Sequence, residues 1–96
     1  MTVVEMKFPN IIKVIDKNKS MYNIHTIDSN PHIDIILQRK AYEIENITNP
    51  TYTVYKDLCI FNGKLKNEEV QIYYYDNGTY KKYLGDYLIS KGTYLP

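Results

Sequence analysis

Residues 70–84 read Val-Gln-Ile-Tyr-Tyr-Tyr-Asp-Asn-Gly-Thr-Tyr-Lys-Lys-Tyr-Leu, two runs of strand-forming side chains about one Asn-Gly dipeptide. Asn-Gly in this setting is a strong short-range signal for a β-hairpin, because both residues tolerate the positive φ of a twisted two-residue turn. A two-residue loop at 77–78 pairs Tyr75 with Tyr80, Tyr74 with Lys81, Tyr73 with Lys82 and Ile72 with Tyr83. Alternation then sends Val70, Ile72, Tyr74 and Tyr83 toward the core, with Lys81 near the turn. Gln71, Tyr73, Tyr75, Tyr80, Lys82 and Leu84 are left on a partly wet face.

The rest of the chain is built from similar material. Val, Ile and Thr total 25 of the 96 residues and aromatics 13, against a single alanine at position 41. Pleated strands favour β-branched and aromatic side chains, whereas helices lean on Ala and straight-chain ones. Turn signals recur at Pro9-Asn10, Asp16 to Lys19, Asn30-Pro31, Asn49-Pro50, Asn62-Gly63 and Asn77-Gly78. Short alternating runs between such signals suit a small barrel or sandwich. The expectation is an all-β, single-domain antiparallel barrel or sandwich of six to eight short strands spanning 1–96. The alternative is an α+β fold with one short helix, drawn from 54–61 or 80–90.

Taken in order, the run at 2–8 puts Val4, Met6 and Phe8 on one face. Runs at 10–16 and 21–27 read as strands joined by a lysine-rich turn at 16–20. In His-Ile-Asp-Ile-Ile-Leu-Gln (32–38), Ile33, Ile35 and Leu37 alternate with His32, Asp34 and Ile36. The run at 41–47 turns Tyr42 and Ile44 inward, with Gln38-Arg39-Lys40 as a hairpin loop before it. Tyr52 and Val54 point inward from the next run. A second Asn-Gly turn at 62–63 pairs Phe61 with Lys64 and Ile60 with Leu65. That register puts Leu65 on the face opposite Val70 and Ile72, so the ladder must break near Asn67-Glu68-Glu69 by a bulge or short turn.

Charge and cysteine content narrow the function classes. Twelve basic residues oppose eleven acidic ones, and Arg39 is the single arginine, so no broad basic field marks the chain for nucleic acid. Cys59 is the one cysteine, which rules out an intramolecular disulfide and favours a structural, buried thiol. The stretch at 1–8 has no apolar core of signal-peptide length, and no apolar run reaches the ~20 residues of a membrane span. A cytoplasmic location, without membrane association, is expected. Ile, Lys, Asn and Tyr supply 44 of the 96 residues, all with A/T-rich codons, which reads as an AT-rich genome of a phage, virus or low-GC bacterium. If viral, the chain would work in the host cytoplasm. The same bias accounts for part of the tyrosine excess.

Catalytic equipment is sparse. Only His32 and Asp34, with His25 as a distant third ligand, would start a metal site, and the spacing matches no recognised metal motif. Glu43/Glu45 and Glu68/Glu69 fall on a solvated strand face and a turn. There is no glycine-rich phosphate loop, so no cofactor is implied and an enzyme is not expected. The feature that asks for a function is the aromatic hairpin. Tyrosine brings large contact area at low entropic cost, which makes Tyr73, Tyr75, Tyr80 and Lys82 the candidate contact residues for a protein partner. An inhibitor or adaptor role follows. The alternatives are a single-stranded nucleic-acid or nucleotide module using the same rings, and self-association into a homo-oligomer as a virion or assembly component.

Overall fold

The computed structural model describes residues 10–15, 21–43 and 47–95. They form β1 (Asn10–Ile15), β2 (Met21–Thr26), α1 (Ile33–Glu43), β3 (Thr48–Val54), β4 (Leu58–Leu65), β5 (Glu68–Tyr75), β6 (Thr79–Leu84) and β7 (Tyr87–Thr93). The seven strands make one sheet in chain order, with β1 and β7 at its ends. The result is a small sheet-dominated domain with one short helix, compatible with the all-β reading of the composition and with its α+β alternative. The expected strand at 2–8, the turn at 16–20 and the inward Ile44 lie outside the described residues.

One pair departs from the antiparallel pattern. β2 and β3 run parallel, with Ile24 opposite Tyr52 and Thr26 opposite Val54. Parallel neighbours need a crossover of a dozen or more residues, and here α1 supplies it. The segment from Ile33 is therefore helix, not the strand that its alternation suggests, and Gln38-Arg39-Lys40 lies within that helix rather than in a hairpin loop. Ile36 explains the outcome. On a strand it would be a lone apolar residue facing water, but on a helix it joins Ile33 and Leu37 at i, i+3 and i+4 spacing. Ile36 is fully buried, Ile33 and Leu37 pack on the core, and Asp34 is exposed.

Asn30-Pro31 is the start signal of this helix, although it reads equally well as a turn. The Asn30 side-chain oxygen accepts from the His32 backbone N–H at 2.8 Å, as an N-cap residue does. Pro31 follows it in the turn that leads into α1, where its missing N–H leaves no donor to satisfy. Asn30 Nδ2 also donates to the Tyr55 carbonyl at 2.9 Å, tying the helix start to the turn between β3 and β4. Ile27 and Asp28 N–H groups both donate to the Val54 carbonyl, closing the entry to the crossover.

The Asn62-Gly63 turn does not form. β4 runs straight through both residues and reverses at Lys66-Asn67, whose φ angles are 51° and 73°. Two successive left-handed residues make the primed turn that matches strand twist. The required break near 67 is thus the hairpin itself, with Lys64 opposite Glu69 and Leu65 opposite Glu68. Gly63 is needed for a different reason. It faces the core opposite Val70, and a Cβ there would lie 2.2 Å from Ile47 Cγ2. Both segments proposed as helical alternatives, 54–61 and 80–90, are strand and turn.

One face of the sheet carries the core. Tyr52, Phe61 and Ile72 lie opposite one another across β3, β4 and β5, and so do Val54, Cys59 and Tyr74. All six are buried, together with Tyr22, Ile36, Val70 and Tyr94. Their rings meet edge-on or tilted, Tyr22 to Tyr52 at 5.7 Å, Tyr52 to Phe61 at 5.0 Å and Tyr74 to Tyr94 at 5.4 Å. Among the described residues, no helix is long and apolar enough to cross a membrane.

Cys59 sits in this core with no exposed surface, and burial pushes its thiol up to about 12 from the ordinary 9.0. The folded chain therefore holds that proton after the unfolded chain has lost it. Its stabilising effect is complete below pH 9 and lost progressively toward pH 12. Denaturant titrations of the native chain and of Cys59→Ala should show the native chain losing stability more steeply above pH 9. The difference in slope should approach about 1.4 kcal/mol per pH unit. Parallel slopes would contradict the buried neutral thiol.

Candidate binding surface

The face opposite the core is where β5 and β6 display their rings, and the connection between them decides which rings those are. Three residues, Asp76, Asn77 and Gly78, join the strands, with Gly78 left-handed at φ 91°. Gly78 N–H donates to the Tyr75 carbonyl at 3.0 Å. The Asn77 side-chain oxygen accepts from Thr79 N–H at 3.1 Å and from Thr79 Oγ1 at 2.6 Å. This is the three-residue hairpin whose glycine takes the left-handed position.

One extra loop residue reverses every side chain of β6 relative to the two-residue reading. The observed pairs are Tyr74 with Tyr80, Tyr73 with Lys81, Ile72 with Lys82 and Gln71 with Tyr83. Tyr73 and Tyr75 remain together on the open face, as their spacing requires. Tyr80 and Lys82 do not join them. Both turn to the core side, where the Tyr80 ring lies 6.4 Å from Tyr74 and against Gly92, and its hydroxyl is 3.3 Å from Ser90 Oγ. Lys81 and Tyr83 take their places on the open face. The two-residue reading put these two toward the core, and the extra residue is the reason it fails.

The open-face group is geometrically tight. Tyr73 and Tyr75 are nearly parallel, 17° between planes with centroids 6.3 Å apart. Tyr83 stands at 86° to Tyr73 with centroids 5.8 Å apart. The Lys81 ammonium lies 5.9 Å from the Tyr75 centroid, within cation–π range. Gln71 donates to Asn62 Oδ1 at 2.9 Å and accepts from the Tyr73 hydroxyl at 3.4 Å, which fixes its amide orientation. These rings border a hollow of about 250 Å³ lined by Gln71, Tyr73, Tyr75, Tyr83, Gly85 and Asp86. Gly85, left-handed at φ 59°, and Asp86 form the tight turn between β6 and β7, so the hollow has a turn as one rim.

Tyr94 holds the hairpin tip from the core side. Its hydroxyl donates to the Tyr75 carbonyl, and its N–H donates to the Gly78 carbonyl at 2.9 Å. Burial, followed by the Asp76 carboxylate and Cys59, keeps the Tyr94 phenol above its usual pKa, so it stays a donor. The backbone carrying Tyr75 is therefore anchored although its ring is half exposed.

The metal constellation does not assemble. His32 Nε2 is 3.6 Å from Asp76 Oδ1 and its ring packs edge-on to Tyr94, whereas Asp34 is exposed on the first turn of α1. Among the described residues, no group of three or more His, Cys, Asp or Glu is placed to hold an ion. Comparison with protein-family models, curated proteins and solved structures gives no match.

Proposed function

We propose that this chain is a non-catalytic binding module that engages a protein partner through the open sheet face around Tyr73, Tyr75 and Tyr83. The observation that supports this reading is the gathering of three half-exposed phenol rings about one hollow, on a backbone pinned from behind by Tyr94. Rings held this way contribute contact area without losing much rotamer freedom on binding, as binding hot spots do. The abundance of Ile, Lys, Asn and Tyr, whose codons are A/T-rich, points to an AT-rich genome of a phage, a virus or a low-GC bacterium, in which the module would serve as an inhibitor or adaptor. Affinity capture from native cells, with and without nuclease, tests the reading. Capture of a defined protein that survives nuclease and needs Tyr73 and Tyr75 supports it, and nuclease-sensitive capture would replace it with nucleic-acid binding.

A second reading is carried by a different strand. Among the described residues β7 ends the sheet, and three consecutive residues on it, Tyr87, Leu88 and Ile89, are exposed at 78%, 47% and 50%. A terminal strand that carries exposed apolar side chains is a template for pairing with a second copy. Light scattering over a range of concentrations is expected to show a monomer–dimer equilibrium that Ile89→Lys abolishes. A monomer at all concentrations would dismiss this reading.

A further inference from the structure

We infer that the hollow bounded by Tyr73, Tyr75 and Tyr83 receives a lysine side chain presented by the protein partner; this rests on the binding reading above and specifies what the surface recognises. Three observations converge. Size is the first, since the hollow of about 250 Å³ falls below the roughly 300–1,000 Å³ of sites that take whole small molecules. A single side chain fits it better. Shape is the second: Tyr73 and Tyr83 stand at 86°, giving two walls at right angles, and Tyr75 is stacked nearly parallel to Tyr73. Ring faces carry negative quadrupole density, so perpendicular rings around one space favour a cation inside it.

Charge is the third. Among the described residues, Asp86 is the only charged side chain lining the hollow, and no lysine lines it. A carboxylate on the rim complements an ammonium group and opposes a phosphate. The chain shows this preference itself, because Lys81 already places its ammonium 5.9 Å from the Tyr75 centroid from outside the hollow. Lys81 is then an internal competitor for a visiting cation.

This competitor separates the inference from the nucleic-acid alternative. Stacked tyrosines beside Lys81 and its cross-strand neighbour Lys91 would suit a single strand, whose bases stack while phosphates meet the amines. Removing Lys81 should weaken that mode and strengthen binding of a cation. The two ligands therefore predict opposite signs for one substitution.

The experiment is an NMR titration of the full chain with ring-labelled tyrosine. The probes are an end-capped Gly/Ser peptide whose one charge is a central lysine, the same peptide with that lysine acetylated, and oligothymidylate. The lysine peptide should shift Tyr73, Tyr75 and Tyr83, and acetylation should weaken it about five-fold or more. Asp86→Asn should weaken the lysine peptide roughly two- to five-fold and Lys81→Gln strengthen it by a similar factor. Both residues are exposed, so neither change threatens the fold. Equal binding of the acetylated peptide would overturn the inference, as would oligothymidylate moving the same rings with an affinity that falls in Lys81→Gln. If the lysine peptide moves no ring while partner capture still needs Tyr73 and Tyr75, the inference is lost and the binding reading stands. Should capture also be indifferent to those residues, both are lost.

Discussion

Gly63→Ala is expected to destabilise the domain by about 3 kcal/mol, the upper end of the usual cost of adding a methyl group to a filled core. The new Cβ would meet Ile47 Cγ2 at 2.2 Å and the Phe61 ring at 3.3 Å. Phe61 is fully buried among the sheet rows, so it has no room to retreat. Ile47 stands just before β3 and is the partner that must move. Denaturant unfolding should show a lowered midpoint with an unchanged slope, because the surface exposed on unfolding is the same. Adding Ile47→Ala should return part of the loss, giving a coupling of the order of 1–2 kcal/mol. That rescue separates this account from the turn reading of Asn62-Gly63. A glycine needed for turn geometry would also resist alanine, but truncating Ile47 would not help it.

The second large effect is on binding. Tyr73→Ala with Tyr75→Ala should reduce affinity for the protein partner by at least about 100-fold, since two hot-spot rings each typically contribute about 2 kcal/mol or more. The fold should survive. Both rings are half exposed, and losing cross-strand contacts costs roughly 0.2–1 kcal/mol each. Tyr80→Ala is the informative comparison. Its ring packs against Tyr74 and Gly92 on the core side, so its loss should lower stability yet leave the affinity of the folded protein unchanged. Undiminished capture by the Tyr73/Tyr75 double variant would remove the proposed surface.

How much of this was legible in the sequence depended on whether local signals had one physical meaning or two. Tyr52, Val54, Ile72 and Tyr74 are core residues on alternation alone, and they are buried. Asn77-Gly78 does mark a reversal, but the same dipeptide fits a two-residue primed turn and a three-residue loop that includes Asp76. The choice flips β6: the two-residue form puts Tyr80 and Lys82 on the open face, whereas the longer loop puts Tyr83 there, beside Asp86 at the hollow. Asp-Asn-Gly, with its asparagine able to accept from Thr79, is the signal for the longer loop.

Asn62-Gly63 shows the opposite difficulty. Its glycine answers to Ile47, sixteen residues away in sequence, and no local rule can see that contact. The helix was legible in part. Asn30-Pro31 and the placement of Ile36 state it, but the alternation of Ile33, Ile35 and Leu37 states a strand equally well. The parallel pairing of β2 with β3 settles the matter, because it leaves a gap that an extended hairpin cannot bridge.

Everything functional follows from the pairing of β5 with β6, and ring-to-ring nuclear Overhauser effects in the free protein measure it most directly. Contacts from Tyr73 to Tyr75 and to Tyr83, together with contacts between Tyr74 and Tyr80, are the expected result. Contacts of Tyr80 with Tyr73 or Tyr75, and none between Tyr73 and Tyr83, would contradict it and dissolve the hollow.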